Sequence, residues 1–205
     1  MTLFQFIKNL FSRPKVIKTV SKPVASKKPK IPVVVKTKKL NKTSISKTKD
    51  TYKEVFKKSP NQSGTIKPKY IILHDSEGSY VGGVSWITNS KSKVSYHYMI
   101  DSNGDRTQFV YDSKRAWHAG RSKWDNISGL NSCSIGIAFW GNTHKRELKF
   151  VEIDSCAHKC IYIMKKFNIP VDNILTHQMI SPNRKTDTSP RAYKEVLKRI
   201  TELLK

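Results

Sequence analysis

Acidic residues are scarce in this chain. Fifteen Asp and Glu stand against 39 Lys and Arg, a net charge of +24 over 205 residues. Cysteine is scarce too. Cys133, Cys156 and Cys160 are too few for a disulfide framework, and the last two lie four apart in a helical stretch, a poor geometry for a bridge. All three read as small buried hydrophobes. No apolar run approaches the ~20 residues needed to span a bilayer. The N-terminus lacks the basic-then-apolar order and small-residue cleavage site of a signal peptide. Apolar residues make up only 37%, so part of the chain adds nothing to a core. Internal repeats are absent.

What is present is unevenly spread. Residues 1–66 hold 17 Lys/Arg against Asp50 and Glu54, a net of +15; residues 67–205 carry the other +9. Such a field attracts polyanions: nucleic acid, anionic lipid or an acidic cell wall. Charge alone does not choose among them. Residues 1–13 place Leu3, Phe6, Ile7, Leu10 and Phe11 at helical spacing. This short amphipathic helix suits a membrane surface or partner, or docking on its own domain. Residues 14–49 hold 12 Lys/Arg, no acid and four prolines, the composition of a disordered basic tether. The expected division is an extension over 1–60 and a folded domain over 61–205.

From Lys67 the texture changes. KYIILHD (69–75) reads as a buried strand, and Gly78–Ser92 as helical. VSYHYMID (94–101) and RTQFVY (106–111) read as a hairpin around Asn103-Gly104. CSIGIAFWG (133–141) is another buried strand. Glu147–Phe167 has helical periodicity, NILTH (173–177) is a short strand, and Pro190 opens a last amphipathic helix. Strands separated by helices predict an α/β fold, one mixed central β-sheet flanked by helices.

His74 and His177 each close an apolar strand, where loops form clefts. Asp187 follows ten residues later in the polar loop SPNRKTDTSP. Two His and a carboxylate can bind zinc and leave one tetrahedral position open, as catalytic sites do. On spacing alone this signal is weak. His97, beside Tyr96 on the opposite strand face, reads as structural. His144 and His158 read as surface or satisfied residues.

The blocks IILHDSEG, VSYHYMID-SNGD, AWHAG, NSCSIGIAFWGN and THQMISPNRKTDTSP, in that order over residues 67–190, resemble the N-acetylmuramoyl-L-alanine amidase family of phage amidase-type lysozymes, muropeptide amidases and peptidoglycan-recognition proteins. The resemblance implies that fold and zinc-dependent cleavage of the amide between the muramoyl lactyl group and L-alanine. It implies one zinc ion on His74, His177 and Asp187, with Lys185 and Tyr96 as catalytic residues. Lys185 would stabilise the oxyanion, and Tyr96 would orient the water or shuttle its proton. His118, Trp117, Asn131 and Arg184 are expected substrate contacts, although a core role for Trp117 and a loop or supporting role for His118 stay open. Some members carry a glutamate where this chain has Ala138, which leaves the proton acceptor unassigned.

The partner implied is peptidoglycan, met by a monomer. Residues 1–60 would add contact with anionic membrane or wall polymer, and nucleic acid is a secondary partner. A phage lysis or virion protein fits this set. The alternatives are a binding module without catalysis and a cytoplasmic recycling amidase.

Overall fold

The computed structural model describes residues 49–205; the amphipathic segment 1–13 and all but the last residue of the basic stretch 14–49 lie outside them. The described residues form strands β1 (Glu54–Phe56), β2 (Gln62–Thr65), β3 (Tyr70–Asp75), β4 (Tyr98–Ile100), β5 (Arg106–Gln108), β6 (Lys114–Ala116), β7 (Lys123–Trp124), β8 (Ile127–Ser128), β9 (Ser134–Phe139) and β10 (Ile174–Thr176). The helices are α1 (Tyr80–Thr88), α2 (Phe150–Phe167), the single turn α3 (His177–Ile180) and α4 (Pro190–Leu203).

Six strands make the central sheet in the order β1-β5-β4-β9-β3-β10. Only β4 and β5 pair antiparallel; the other neighbours run parallel, so the sheet is mixed as expected. β3 and β9 sit in the middle and are buried along their whole lengths. That is why both read as unbroken apolar runs, since a parallel strand covered on both faces has no solvent side. Alternation then divides β3. Ile71 and Leu73 pack with Ala157, Cys160, Ile163, Val196 and Ile200 of α2 and α4. Tyr70 and Ile72 meet Leu130, Leu175 and Ile180 on the other face. His74 shares this second face.

Local chemistry sets the ends of these elements. Ser79 Oγ caps α1 by accepting the Gly82 N–H (3.1 Å). Glu152 folds back on the Lys149 N–H (2.9 Å) at the start of α2, and Asn168, in the left-handed region at φ 55°, closes it. Pro190 occupies the first turn of α4 behind Ser189. In the β4–β5 hairpin Asp101 Oδ1 accepts the N–H groups of Asn103 and Asp105, and Gly104 turns the chain at φ 85°. Any side chain at 104 would also strike the Tyr52 ring, 2.5 Å from where its Cβ would stand. α2 and α4 are joined by the buried Arg199–Asp154 ion pair (2.6 Å).

The sheet takes in β1, which lies on the extension side of the expected boundary at 60/61. Its side chains are exposed and flanked by lysines, so nothing in its composition marks a strand. Tertiary pairing makes it one. Arg106, only 4% exposed, donates to Glu54 (2.8 Å) and to both oxygens of Asp50 (3.0 and 2.9 Å), and Lys159 reaches Glu54 from α2. Tyr52 adds a hydrogen bond to Asp154 (2.9 Å).

A chain starting at residue 49 is therefore expected to melt with the parent, whereas one starting at 61 should melt several degrees lower. Arg106→Ala should cost about 2 kcal/mol, less than the ~3–5 kcal/mol of breaking a fully buried pair, because Asp50 and Glu54 are 35% and 28% exposed. That loss corresponds to a fall of about 4–8 °C by calorimetry; an unchanged melting temperature for both altered chains would refute the docking role of residues 50–56.

Candidate active site

Because β4, β9, β3 and β10 run parallel, their carboxyl ends share one edge of the sheet, the place where such sheets form crevices. His74 is the fifth of six residues in β3 and lies beside Ala138 in the β9 register. Thr176, the last residue of β10, lies beside Leu73, so His177 comes next to His74 at the same level. His177 is not the end of the strand, as expected, but the first residue of α3. Thr176 Oγ1 accepts the Met179 N–H (3.2 Å) and turns the chain there. The loop after α3 returns over the strand ends, where the Asp187 carbonyl accepts the Gln178 N–H (2.7 Å).

These elements bring together the trio expected to hold a metal. His74 Nδ1 and His177 Nδ1 lie 3.1 Å apart. Asp187 Oδ2 is 3.1 Å from His177 Nδ1 and 3.4 Å from His74 Nδ1. All three atoms fall within 4.8 Å of one another. Each is electron-rich, so the arrangement calls for a cation among them, and a divalent metal would satisfy all three donors at once. Among the described residues no other group of three or more His, Cys, Asp or Glu converges this way.

The electrostatics agree. Burial would raise the Asp187 carboxyl, but hydrogen bonds and charge from His177 and His74 outweigh it and hold it well below the usual range. Burial lowers His74 to about 4, against an opposing pull from Asp187. Burial likewise lowers His97 to about 4 and pushes His118 well down. His74, His97 and His118 are thus neutral near pH 7, and the neutral imidazole is the form that ligates metal.

A polar cleft opens beside the trio, lined by Asp75, Glu77, Asn142, His144, Arg184, Lys185, Thr186 and Asp187. Lys185 and Arg184, expected as a catalytic residue and a substrate contact, both lie on its wall. Arg184 also donates to the carbonyls of Ala119 (2.9 Å) and Arg121 (3.0 Å). The Tyr96 ring centroid lies 5.2 Å from that of His74.

The other expected substrate contacts face inward. Trp117 is half-buried and donates from Nε1 to Ser63 Oγ (3.1 Å). Asn131 Oδ1 accepts the backbone N–H groups of His118 (3.0 Å) and Ala119 (2.7 Å). His118 is 5% exposed, and its Nδ1 lies 2.9 Å from His74 Nε2, so it sits behind His74 and not in the cleft lining. His97 is fixed between the Gly136 N–H and the Lys114 carbonyl, in keeping with a structural role. His144 is exposed but holds the Thr186 carbonyl (2.8 Å) on the cleft wall.

Asp75 and Glu77 were not singled out from sequence. Their only signal was an acidic Asp-Ser-Glu run directly after His74. Asp75 is buried and tied down: its Oδ2 accepts from the Thr143 N–H (2.8 Å) and hydroxyl (2.9 Å), and its Oδ1 from Thr188 (3.3 Å). Glu77 is exposed, at φ 53°, with Asn142 donating to its Oε1 (2.8 Å).

Residues 64–190 match the family profile described as N-acetylmuramoyl-L-alanine amidase. Over 96 residues the chain is 36% identical to the 1,6-anhydro-N-acetylmuramyl-L-alanine amidase AmpD of Haemophilus influenzae, covering 46% of this chain and 52% of that protein. The fold is shared with a solved AmpD derivative (TM-score 0.61, 22% identity, 73% of this chain and 96% of that one) and with a mutant endolysin from Bacillus subtilis (TM-score 0.59, 21% identity, 73% and 99%). The matched curated relatives are covered over 33% to 62% of their own lengths.

Folded His74 and His97 bind fewer protons than the unfolded chain between their ordinary 6.5 and about 4. Stability contributed by their neutral forms is therefore lost as pH falls through that window. The metal-free protein is expected to lose its circular dichroism signal with a midpoint between about 6.5 and 4. A fold unchanged at pH 4 would contradict this.

Proposed function

Because the chain belongs to the N-acetylmuramoyl-L-alanine amidase family, we propose that it hydrolyses the amide joining the N-acetylmuramoyl lactyl group to L-alanine in peptidoglycan, with one zinc ion held by His74, His177 and Asp187. The observation that carries this reading is the convergence of three zinc-type donors within 4.8 Å beside a cleft that also holds Lys185. Two imidazoles and one carboxylate suit zinc and leave a position open. When bound, zinc supplies Lewis acidity, polarising a carbonyl and lowering the pKa of water from ~15.7 toward ~7. A family member without catalysis would be expected to lack one of these donors, and here all three are filled.

The remaining work falls to the chain's own groups. Lys185 brings an ammonium to the cleft wall and is assigned the charge that develops on the carbonyl oxygen. Burial, and then the charges of Asp187, Asp75 and Glu77, push the Tyr96 phenol up, so it stays protonated. It therefore orients water by donating a hydrogen bond and does not accept the proton. The strand position beside His74 is Ala138, which offers no carboxylate. Asp75 is committed to Thr143 and Thr188. Glu77 is then the cleft carboxylate assigned to take a proton from the attacking water and return it to the leaving amine as the C–N bond breaks.

Within this chemistry the protein is read as a monomeric wall-lytic enzyme of phage endolysin type, acting on polymeric peptidoglycan. The +15 charge of residues 1–66 supports contact with anionic membrane or wall polymer, and with nucleic acid secondarily. Likeness to the endolysin fold is consistent with it. A second reading, action on soluble wall fragments, is favoured by the identity with AmpD.

Chelation should abolish release of new amine termini from purified sacculi, and zinc should restore it in the parent but not in His177→Ala. Lysis that survives both chelation and that substitution would overturn the metal reading. Lys185→Ala and Glu77→Gln should each lower kcat about 100-fold or more with little change in KM. A higher kcat/KM on soluble anhydromuropeptide than on sacculi would favour the second reading over the first.

A further inference from the structure

We propose that the segment His118–Ala119, clamped by Asn131, supports both candidate ligand histidines from behind, His118 fixing the tautomer of His74 and the Ala119 carbonyl accepting the Nε2 proton of a metal-bound His177, so that His118 and Asn131 are positioning residues. The argument follows single protons through buried groups. Ser134 Oγ donates its one hydrogen to the Leu130 carbonyl (2.6 Å). Toward His118 Nε2, 3.3 Å away, it can only accept, and the Ser134 carbonyl at 3.4 Å can only accept as well. His118 Nε2 therefore carries the proton and its Nδ1 is bare. That bare nitrogen lies 2.9 Å from His74 Nε2, which must then be the donor. His74 is left with its lone pair on Nδ1, the atom that faces His177 and Asp187.

The neighbouring residue offers the second histidine a matching acceptor. The Ala119 carbonyl lies 3.2 Å from His177 Nε2 and can only accept, so it takes the Nε2 proton once a cation claims the Nδ1 lone pair; without a cation, Asp187 Oδ2 at 3.1 Å competes for that proton on Nδ1. Arg184 Nη2 is 3.3 Å from the same nitrogen. Its two hydrogens also have three other acceptors, the carbonyls of Ala119 and Arg121 and Ser181 Oγ. One side chain and one carbonyl on adjacent residues thus serve two histidines, one in β3 and one just after β10.

Two features hold that pair of residues in place. Asn131 Oδ1 accepts both backbone N–H groups, of His118 and of Ala119. Gly136 leaves room for the His118 ring, since a Cβ there would stand 2.6 Å from its Cγ. Burial of His118 and His177 keeps water from competing for these bonds. Supports of this kind orient metal histidines, and their loss commonly weakens metal binding about 10- to 100-fold.

The consequence for affinity rests on the zinc reading, but the tautomers are measured without metal. Long-range proton–nitrogen correlation on the metal-free, nitrogen-15-labelled full chain, at a pH where the imidazoles are neutral, should show His74 and His118 both protonated on Nε2. A proton on Nδ1 of either one would overturn the proposal. Zinc affinity, by competition with a chelating dye, should weaken about 10- to 100-fold in His118→Leu and Asn131→Ala. It should recover in His118→Gln and Asn131→Asp, which keep an acceptor oxygen. Melting of the metal-free variants separates this from a general loss of structure. Affinities within about two-fold of the parent in both folded variants would overturn the positioning role. Should those variants fail to fold, the parent's tautomers still decide. A parent with the expected tautomers that binds no zinc would sink the zinc reading and support the wiring.

Discussion

Two imidazole nitrogens and a carboxylate oxygen held within 4.8 Å of one another repel unless a cation lies among them. Three separate pieces of backbone work against that repulsion. The parallel pairing of β3 with β10 sets the two histidines side by side, and the capped turn at Thr176 aims the second. The loop from α3 to α4 brings the carboxylate back across the strand ends, anchored by the Gln178 N–H on Asp187 and by Ser189 on Thr143 (2.9 Å).

Much of this was legible before any coordinates. β3 and β9 announced themselves as apolar runs, the hairpin as Asn-Gly between strand-formers, and α2 and α4 through 3.6-residue periodicity. The metal trio was legible only through its five matching blocks, because spacing over more than a hundred residues carries little weight. What stayed hidden depends on direction and on distant partners. The AWHAG block shows that a histidine follows a tryptophan after strand material, but not whether its ring points into the cleft or under it. Asn131 has the same chemistry as a sugar contact and as a clip on two backbone N–H groups. β1 could not be found locally at all, since Glu54 becomes part of a strand through Arg106 and Lys159, 52 and 105 residues away.

Acid placement adds a second layer to the charge. Asp75, Asp112, Glu152 and Asp154 are buried. Asp112 holds Tyr98 and Lys166, Glu152 holds Arg146, and Asp154 holds Arg199. Buried bases nearly balance them: Arg106, Lys159 and Arg199 lie inside as well, so the surface formed by residues 67–205 stays close to the net of +9. Such a surface attracts polyanions, and the attraction weakens as salt screens it.

The docking of β1 has a geometric consequence. Four strand-to-strand steps of ~4.8 Å separate it from β3, so Glu54 enters the sheet roughly 19 Å from the column that carries His74. Whatever is joined upstream of Asp50, a natural anchor or an engineered passenger, thus attaches at the far margin of the sheet. Residue 49 is a natural splice point for grafting the folded unit onto other modules.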